Sequence, residues 1–450
     1  MLMRNIKCLL CTALVCCYLP LANTSLADTA LNENVVSTQY NVTPEELYSP
    51  LPAGVVPELA EKGAFQVGVK TIKIVNPAQF DPTTQTAKDR ELTLEVWYPS
   101  KANTHTKASY ENVTRTGIEF SIQADAYRDA NVLTTSKTKF PLVVISHGYT
   151  GYRTLMFYLG EHLASHGYIV AAIDHTDSTN AEVDMKNNPF GGFFSTLLNR
   201  SRDQQFALDY LTTKQHFASA IIDKNKAGLI GYSMGGYGAV NTIGGCYNFT
   251  DATASAFTGI KDPEQVSKIV SLLNSCAGGQ YNNVKVDAKW QAVIAMAPWG
   301  GQHNLFNPQA LTKINTPILY VAGDLDDVSD YDSIKSLYEK TGKNNSINTK
   351  HLLTYQNARH NIAPHPAPLV AKTSELDLGH YYEPVWGNMR LNNTNKHFAL
   401  AMMDCYIKKD QTKCSYLDLS GDSNQVPVDG ETPKPWKGFD HRYSAGMKWQ

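Results

Sequence analysis

The stretch Lys226-Ala227-Gly228-Leu229-Ile230-Gly231-Tyr232-Ser233-Met234-Gly235-Gly236-Tyr237-Gly238 decides how the rest of this chain is read. Leu229 to Tyr232 is a short apolar run that predicts a strand. A sharp turn at Ser233 follows, and then a helix of small residues. Gly231 and Gly235 flank the serine in the pattern G-x-S-x-G, where neighbouring backbone leaves no room for a Cβ. A turn of this kind pushes the Ser233 hydroxyl out at the edge of a sheet, which makes it a candidate nucleophile. The pattern also arises by chance, so its weight rests on what stands around it.

A serine hydroxyl is a poor nucleophile until a base takes its proton, and the base needs a third group to orient it. Downstream, Pro317 to Val321 predicts a strand ending in Gly323-Asp324-Leu325-Asp326-Asp327. Leu352 to Tyr355 predicts another, followed by Ala358-Arg359-His360-Asn361. Both sites follow a strand's C-terminal end, the edge that also carries Ser233. The order Ser, Asp, His gives Ser233 as nucleophile, His360 as base and an acid from Asp324, Asp326 or Asp327. His351, His365 and His380 are the rival bases. An oxyanion needs two donors: the amide after the nucleophile, Met234, and one from the loop after an earlier strand. Ser146-His147-Gly148-Tyr149-Thr150 occupies that loop, and the Tyr149 amide is the natural second donor.

The frame that holds these residues is also legible. Leu142–Ile145, Ile169–Ile173, Leu229–Tyr232, Ala292–Met296 and Ile318–Val321 are continuous apolar runs, as expected for strands buried on both faces of a parallel sheet. Helix-like stretches at 155–166, 202–211 and 331–340 alternate with them, giving an α/β sandwich with helices on both faces. Upstream, residues 67–75 and 92–98 alternate like half-buried strands and predict an antiparallel hairpin. We divide the chain into a signal peptide (1–27), an N-terminal arm (28–62), an α/β domain (63–415) and a C-terminal tail (416–450) expected to wrap or fray. Insertions at about 100–139, 175–199 and 246–288 interrupt the domain. Those at 175–199 and 246–288 follow parallel strands, so either could form a lid over the ligand face or a passive surface loop.

On these motifs the chain resembles the α/β-hydrolase superfamily. Gly68-Val69 with Leu94-Glu95-Val96-Trp97-Tyr98-Pro99 resembles the first hairpin of the platelet-activating-factor-acetylhydrolase and dienelactone-hydrolase-like group. His147 to Thr150, Gly231 to Gly236, Ala297-Pro298-Trp299 and Asp324-Leu325-Asp326 resemble bacterial cutinases and polyethylene terephthalate hydrolases. The resemblance covers residues 63 to 410 patchily. It implies Asp326 as the acid, Tyr149 and Met234 as the oxyanion donors, and Tyr149, Tyr232 and Trp299 as substrate contacts. The implied activity is cleavage of small or polymeric carboxylic esters through an acyl-enzyme, with no cofactor and no metal. The insertions depart from the compact, open-clefted pattern and put polymer cleavage in question. Acyl transfer to an alcohol, cutin, polyester or phospholipid-acetyl hydrolysis, and an inactive fold used as a binding module are the alternatives.

Composition narrows the classes further. The 450 residues are 42% hydrophobic and 18% charged, with a formal net charge of −2, so a globular core is expected and an electrostatic case for nucleic acid is missing. Arg4 and Lys7 precede the apolar run Cys8 to Ala22, and Ser25-Leu26-Ala27 offers small cleavage residues. That is a secretory signal; the run is short for a stable membrane span. Lipidation at Cys16 or Cys17 is disfavoured because Leu14-Val15 lacks the usual small residue. Asn112 and Asn248 lie in glycosylation sequons that matter only in a glycosylating host. Of eight cysteines, Cys246, Cys276, Cys405 and Cys414 remain after cleavage. An even count in an exported chain predicts disulfides; three connectivities are open, and local pairing, 246–276 and 405–414, closes the shortest loops. Asp324, Asp326, Asp327 and Asp330 resemble a calcium loop superficially but lack its glycine and distant glutamate.

Overall fold

The computed structural model describes residues 42–450 apart from 53, 83, 102–105, 135–138, 280–284, 344–348 and 425–433. The signal segment, its four cysteines and the first part of the arm lie outside the described residues. The first apolar alternation forms β1 (Gln66–Asp81), which turns back into β2 (Thr86–Ser100) as the expected antiparallel hairpin, with Val69 opposite Trp97. β3 (Lys107–Val113) and β4 (Glu119–Arg128) come from the segment 100–139. The continuous apolar runs become β5 (Phe140–Ser146), β6 (Ile169–Asp174), β7 (Ile222–Tyr232), β8 (Trp290–Met296) and β9 (Ile318–Gly323), and β10 (Lys350–Tyr355) follows. β11 (Gly421–Asp422) and β12 (Met447–Trp449) belong to the tail.

All twelve join one sheet in the order β11-β12-β10-β9-β8-β7-β5-β6-β2-β1-β4-β3. The six central strands from β10 to β6 run parallel, and β2 meets β6 antiparallel. Parallel neighbours need crossovers, and the helices that supply them cover both faces. α1 (Phe157–Ser165) and the long helix Asn388–Tyr406 lie on one face. α2 (Phe193–Thr213) and α3 (Met234–Thr242) lie on the other. Side chains sort by the two-residue strand period: Val143, Ile145 and Ile230 enter the core beneath α1, while Leu142, Val144 and Leu229 enter the core beneath α2 and α3. The whole is an α/β-hydrolase fold with a mostly parallel central sheet and an antiparallel N-terminal hairpin.

Two segments do more than their composition suggests. β4 buries Phe120, Ile122, Ala124 and Ala126 at every second position and pairs parallel with β1, so the segment 100–139 extends the sheet. The tail reaches the opposite edge: β12 pairs antiparallel with β10, and Trp436, Phe439 and Trp449 pack around Phe398. The segment inserted after α3 carries α4 (Asp251–Thr258) and α5 (Pro263–Leu273), bracketed by a Cys246–Cys276 bond. Cys405 pairs with Cys414, so both expected local bridges are present.

Among the described residues, seven of the eight buried histidines have their proton affinity lowered by burial. Burial pulls His351 and His365 down to about 4 and His175 and His397 to about 3, and pushes His147, His162 and His380 down in the same direction. In the unfolded chain these imidazoles take a proton near pH 6.5; in the fold they resist it. The unfolded state therefore binds more protons below pH 6.5, so their contribution is complete above that pH and is lost as pH falls toward 4. We expect the thermal midpoint to drop by about 10 °C between pH 7.5 and 4.5. A midpoint that is flat across this range in a thermal scan would contradict the burial account.

Candidate active site

Ser233 stands where β7 turns into α3, with φ 53° and ψ −114°, a region that side-chain-bearing residues seldom occupy. The turn is fixed by contact. A Cβ on Gly231 would come within 2.2 Å of the Gly235 carbonyl oxygen, and one on Gly235 within 2.0 Å of the Ser146 carbonyl oxygen. Both glycines are demanded by backbone passing through the space. The Ser233 amide donates to the Met296 carbonyl, which anchors the elbow to β8.

Ser233 Oγ lies 3.0 Å from His360 Nε2, and His360 Nδ1 lies 2.9 and 3.1 Å from the two Asp326 oxygens. All three side chains are nearly buried. Burial alone would raise the Asp326 carboxyl; the His360 imidazole and the Ser329 and Val328 amides outweigh it and hold the group below its ordinary value. Those amides donate to Oδ1 at 2.8 and 2.9 Å, so Asp326 faces His360 as an acceptor fixed on both sides. The neighbouring acids are otherwise engaged. Asp324 accepts from the Asn357 amide, Asp327 pairs with Arg359 at 2.7 Å, and Asp330 caps the helix Tyr331–Lys340 through the Ser333 amide. None of the rival histidines contacts Ser233: His365 bonds the Tyr152 hydroxyl, His351 lies beside Trp449 and Tyr406, and His380 packs on Tyr152 and Tyr381.

The loop after β5 closes over the serine. A Cβ on Gly148 would sit 3.0 Å from Ser233 Cβ, so the loop passes directly against Ser233 one residue before Tyr149. Met234 opens α3, where an amide has no acceptor within the helix. His147 pins this loop: its Nδ1–H donates to the Gly148 carbonyl at 2.6 Å, and its Nε2 accepts from the His175 amide at 3.1 Å. That pattern requires the neutral ring, in agreement with its lowered proton affinity.

Beneath the loop lies a second serine–histidine–aspartate line that the sequence reading missed. His175 Nε2 is 2.8 Å from Ser146 Oγ, and His175 Nδ1 is 2.9 Å from Asp203. Its geometry resembles the line at Ser233, yet Ser146 is fully enclosed and its oxygen also accepts from Gln204. Asp203 is held by Arg90 through bonds of 2.8 and 2.9 Å. No substrate can reach this serine, so the line acts as a brace under the β5 loop. A second omission is Glu383. Its buried carboxylate accepts from the amides of Arg359 at 2.8 Å and Asn361 at 2.9 Å, clamping the backbone on each side of His360. A lone glutamate 23 positions downstream carries no local signal of this role.

The expected substrate contacts divide. Tyr232 is buried; its ring lies 5.3 Å from that of His360, and its hydroxyl reaches the His360 carbonyl and Asn361. It backs the imidazole from within. Trp299 and Tyr149 lie on the other side, and Phe193 stands between them, 5.3 Å from Tyr149 and 5.5 Å from Trp299. Phe257 of α4 completes the group, 5.5 Å from Trp299 and 5.9 Å from Phe193. Phe193 and Phe257 come from the insertions at 175–199 and 246–288, which thus add rings to an aromatic wall joined to the elbow by the Trp299 amide, 3.2 Å from the Ser233 carbonyl.

A family model for platelet-activating factor acetylhydrolase, isoform II, matches residues 60–189, which hold the hairpin and the Tyr149 loop. The chain is 37% identical over 101 residues to the cutinase est2 of Thermobifida alba, covering 22% of this chain and 28% of that protein. It is 36% identical over 106 residues to a bis(hydroxyethyl) terephthalate hydrolase of Streptomyces coelicolor, covering 24% of this chain and 29% of that protein. A platelet-activating factor acetylhydrolase of Canis lupus familiaris is 54% identical over 41 residues, 9% of each chain. These matches thus span less than a third of their relatives. Among solved structures, a ferulic acid esterase from Streptomyces cinnamoneus superimposes with a TM-score of 0.54 at 20% identity, over 82% of this chain and 94% of that one. That similarity is one of fold.

Proposed function

We propose that this chain is an exported serine hydrolase that cleaves carboxylic esters through an acyl-enzyme. The hydrogen-bonded line from Asp326 through His360 to Ser233, at the tip of a strained elbow, carries the reading. Ser233 Oγ attacks the ester carbonyl while His360 Nε2 takes its proton. Asp326 holds the ring with Nδ1–H toward itself, leaving Nε2 free to accept, and stabilises the imidazolium as it forms. The Tyr149 and Met234 amides receive the charge on the carbonyl oxygen. His360 then passes its proton to the departing alcohol, and water repeats the sequence on the acyl-enzyme. Export is supported by the N-terminal pattern and by the two disulfides, which persist outside a reducing compartment. Among the described residues no helix is long and apolar enough to cross a membrane.

The aromatic wall argues for a bounded apolar acyl pocket over an open polymer groove. Replacing Trp299 or Phe193 by alanine removes a ring from that wall. We expect either change to lower kcat/KM for p-nitrophenyl benzoate by roughly tenfold more than for p-nitrophenyl acetate. Using both variants separates pocket from fold, because Trp299 also packs on Tyr237. Equal losses on the two esters would place the wall outside the acyl pocket. The reading as a whole is tested by initial rates on p-nitrophenyl esters from acetyl to palmitoyl. Turnover with a chain-length optimum supports it; a folded protein inactive on every ester would sink it.

A further inference from the structure

The turn between β3 and β4 brings an arginine against the loop that carries Tyr149 and Thr150. Arg115 Nε donates to Thr150 Oγ1 at 3.2 Å, in the residue directly after Tyr149. The side chain is half-buried and forms no ion pair among the described residues. The Asp377 carboxylate acts on it electrostatically but is committed to Thr116, accepting from its amide at 2.9 Å and its hydroxyl at 2.6 Å. The phenol groups of Tyr232, Tyr381 and Tyr152 are its other electrostatic neighbours. Asp377 opens the segment whose Gly379 and Tyr382 carbonyls accept from Asn361, the residue after His360, so the Thr116–Asp377 bonds tie the Arg115 turn to the His360 side of Ser233.

Holding an arginine in partial burial without a carboxylate is costly, and arginine does not escape by losing its proton. A group of this kind is satisfied when an oxyanion docks on the edge formed by Nη1 and Nη2, the edge that Thr150 leaves free. Its location says which part of a substrate would carry that anion. His360 must reach the departing oxygen, so the alcohol portion of the ester lies on the His360 side, while the apolar wall receives the acyl portion. Building on the ester-hydrolase reading, we propose that Arg115 is a specificity residue that binds a carboxylate on the alcohol portion of the substrate. A single guanidinium matches a planar monoanion.

The test compares 4-acetoxybenzoate, whose leaving group carries a carboxylate, with its uncharged methyl ester. The ratio of kcat/KM for the charged ester to that for the neutral one should fall at least tenfold in Arg115→Gln, through KM, and be largely retained in Arg115→Lys. Losses that are equal on the two esters, as a structural defect at the Tyr149 loop would give, overturn the proposal. A measurement on the unaltered enzyme protects against a variant that fails to fold: 4-hydroxybenzoate should bind at least tenfold more tightly than methyl 4-hydroxybenzoate in calorimetry. Equal binding of the two also overturns it. Calorimetry needs no turnover, so a protein that cleaves neither ester yet prefers the carboxylate would refute the hydrolase reading and leave the Arg115 site standing.

Discussion

Replacing Ser233 by alanine is expected to reduce kcat for p-nitrophenyl esters by roughly 10⁴–10⁶-fold with little change in thermal midpoint. On the proposed mechanism the hydroxyl is the group that attacks the ester carbonyl, and alanine removes one oxygen. Because Ser233 already occupies a strained backbone conformation, alanine inherits the strain and adds none. The effect therefore falls on chemistry and spares the fold. The buried look-alike supplies a control. Ser146→Ala removes the hydroxyl of the enclosed line beneath the β5 loop, and should cost stability while retaining turnover within about tenfold. If the two serines exchanged these outcomes, the assignment of nucleophile would be wrong.

The second large effect is expected at Asp326. Its Oδ1 accepts two backbone amides and its Oδ2 faces His360 Nδ1 at 2.9 Å. In Asp326→Asn, the amide oxygen takes the place of Oδ1, since only an acceptor can meet two N–H groups. The amide nitrogen then points at Nδ1 and donates to it. The ring must respond by moving its proton to Nε2, where it can no longer accept from Ser233. Geometry survives and the tautomer is wrong, so kcat should fall by roughly 10³–10⁴-fold while KM changes little. The rates of wild type and variant on p-nitrophenyl butyrate decide it. A loss of less than tenfold would mean that His360 takes its orientation elsewhere, with the Glu383 clamp on its backbone the first place to look.

What the sequence revealed follows from how local each signal is. The elbow is written in five consecutive residues because its glycines are needed by backbone a few ångströms away. The central strands are legible because burial on both faces forbids polar residues, which leaves continuous apolar runs. His360 and Asp326, which the structure brings together, are singled out in the sequence by their order and by their place after a strand end. β3 and β4 were passed over because the segment is rich in Lys, Thr and Asn, although Phe120, Ile122, Ala124 and Ala126 alternate plainly. The tail's role was hidden more deeply: a three-residue strand has no periodicity, and its partner β10 lies some 95 residues earlier.

The same distinction runs through the site. Glu383, Asp203 and Arg90 act through pairings separated by 22 to 113 positions, and no spacing rule reaches that far. Phe193 and Phe257 sit in segments that read as lids or passive loops; only the fold sets them beside Trp299. Tyr232 is read from the motif as a substrate contact; strand alternation sends its ring into the core, beside His360.

The central claim is that one serine of this chain is activated by the His360–Asp326 pair. Incubation of the folded protein with a fluorophosphonate, followed by peptide mass mapping, tests it most directly, since the probe reacts with an activated serine whatever the natural ester is. The account predicts a stoichiometric adduct on Ser233, slowed at least a thousandfold in Asp326→Asn. No adduct on the folded protein, or an adduct on another residue with Ser233 unmodified, would contradict it.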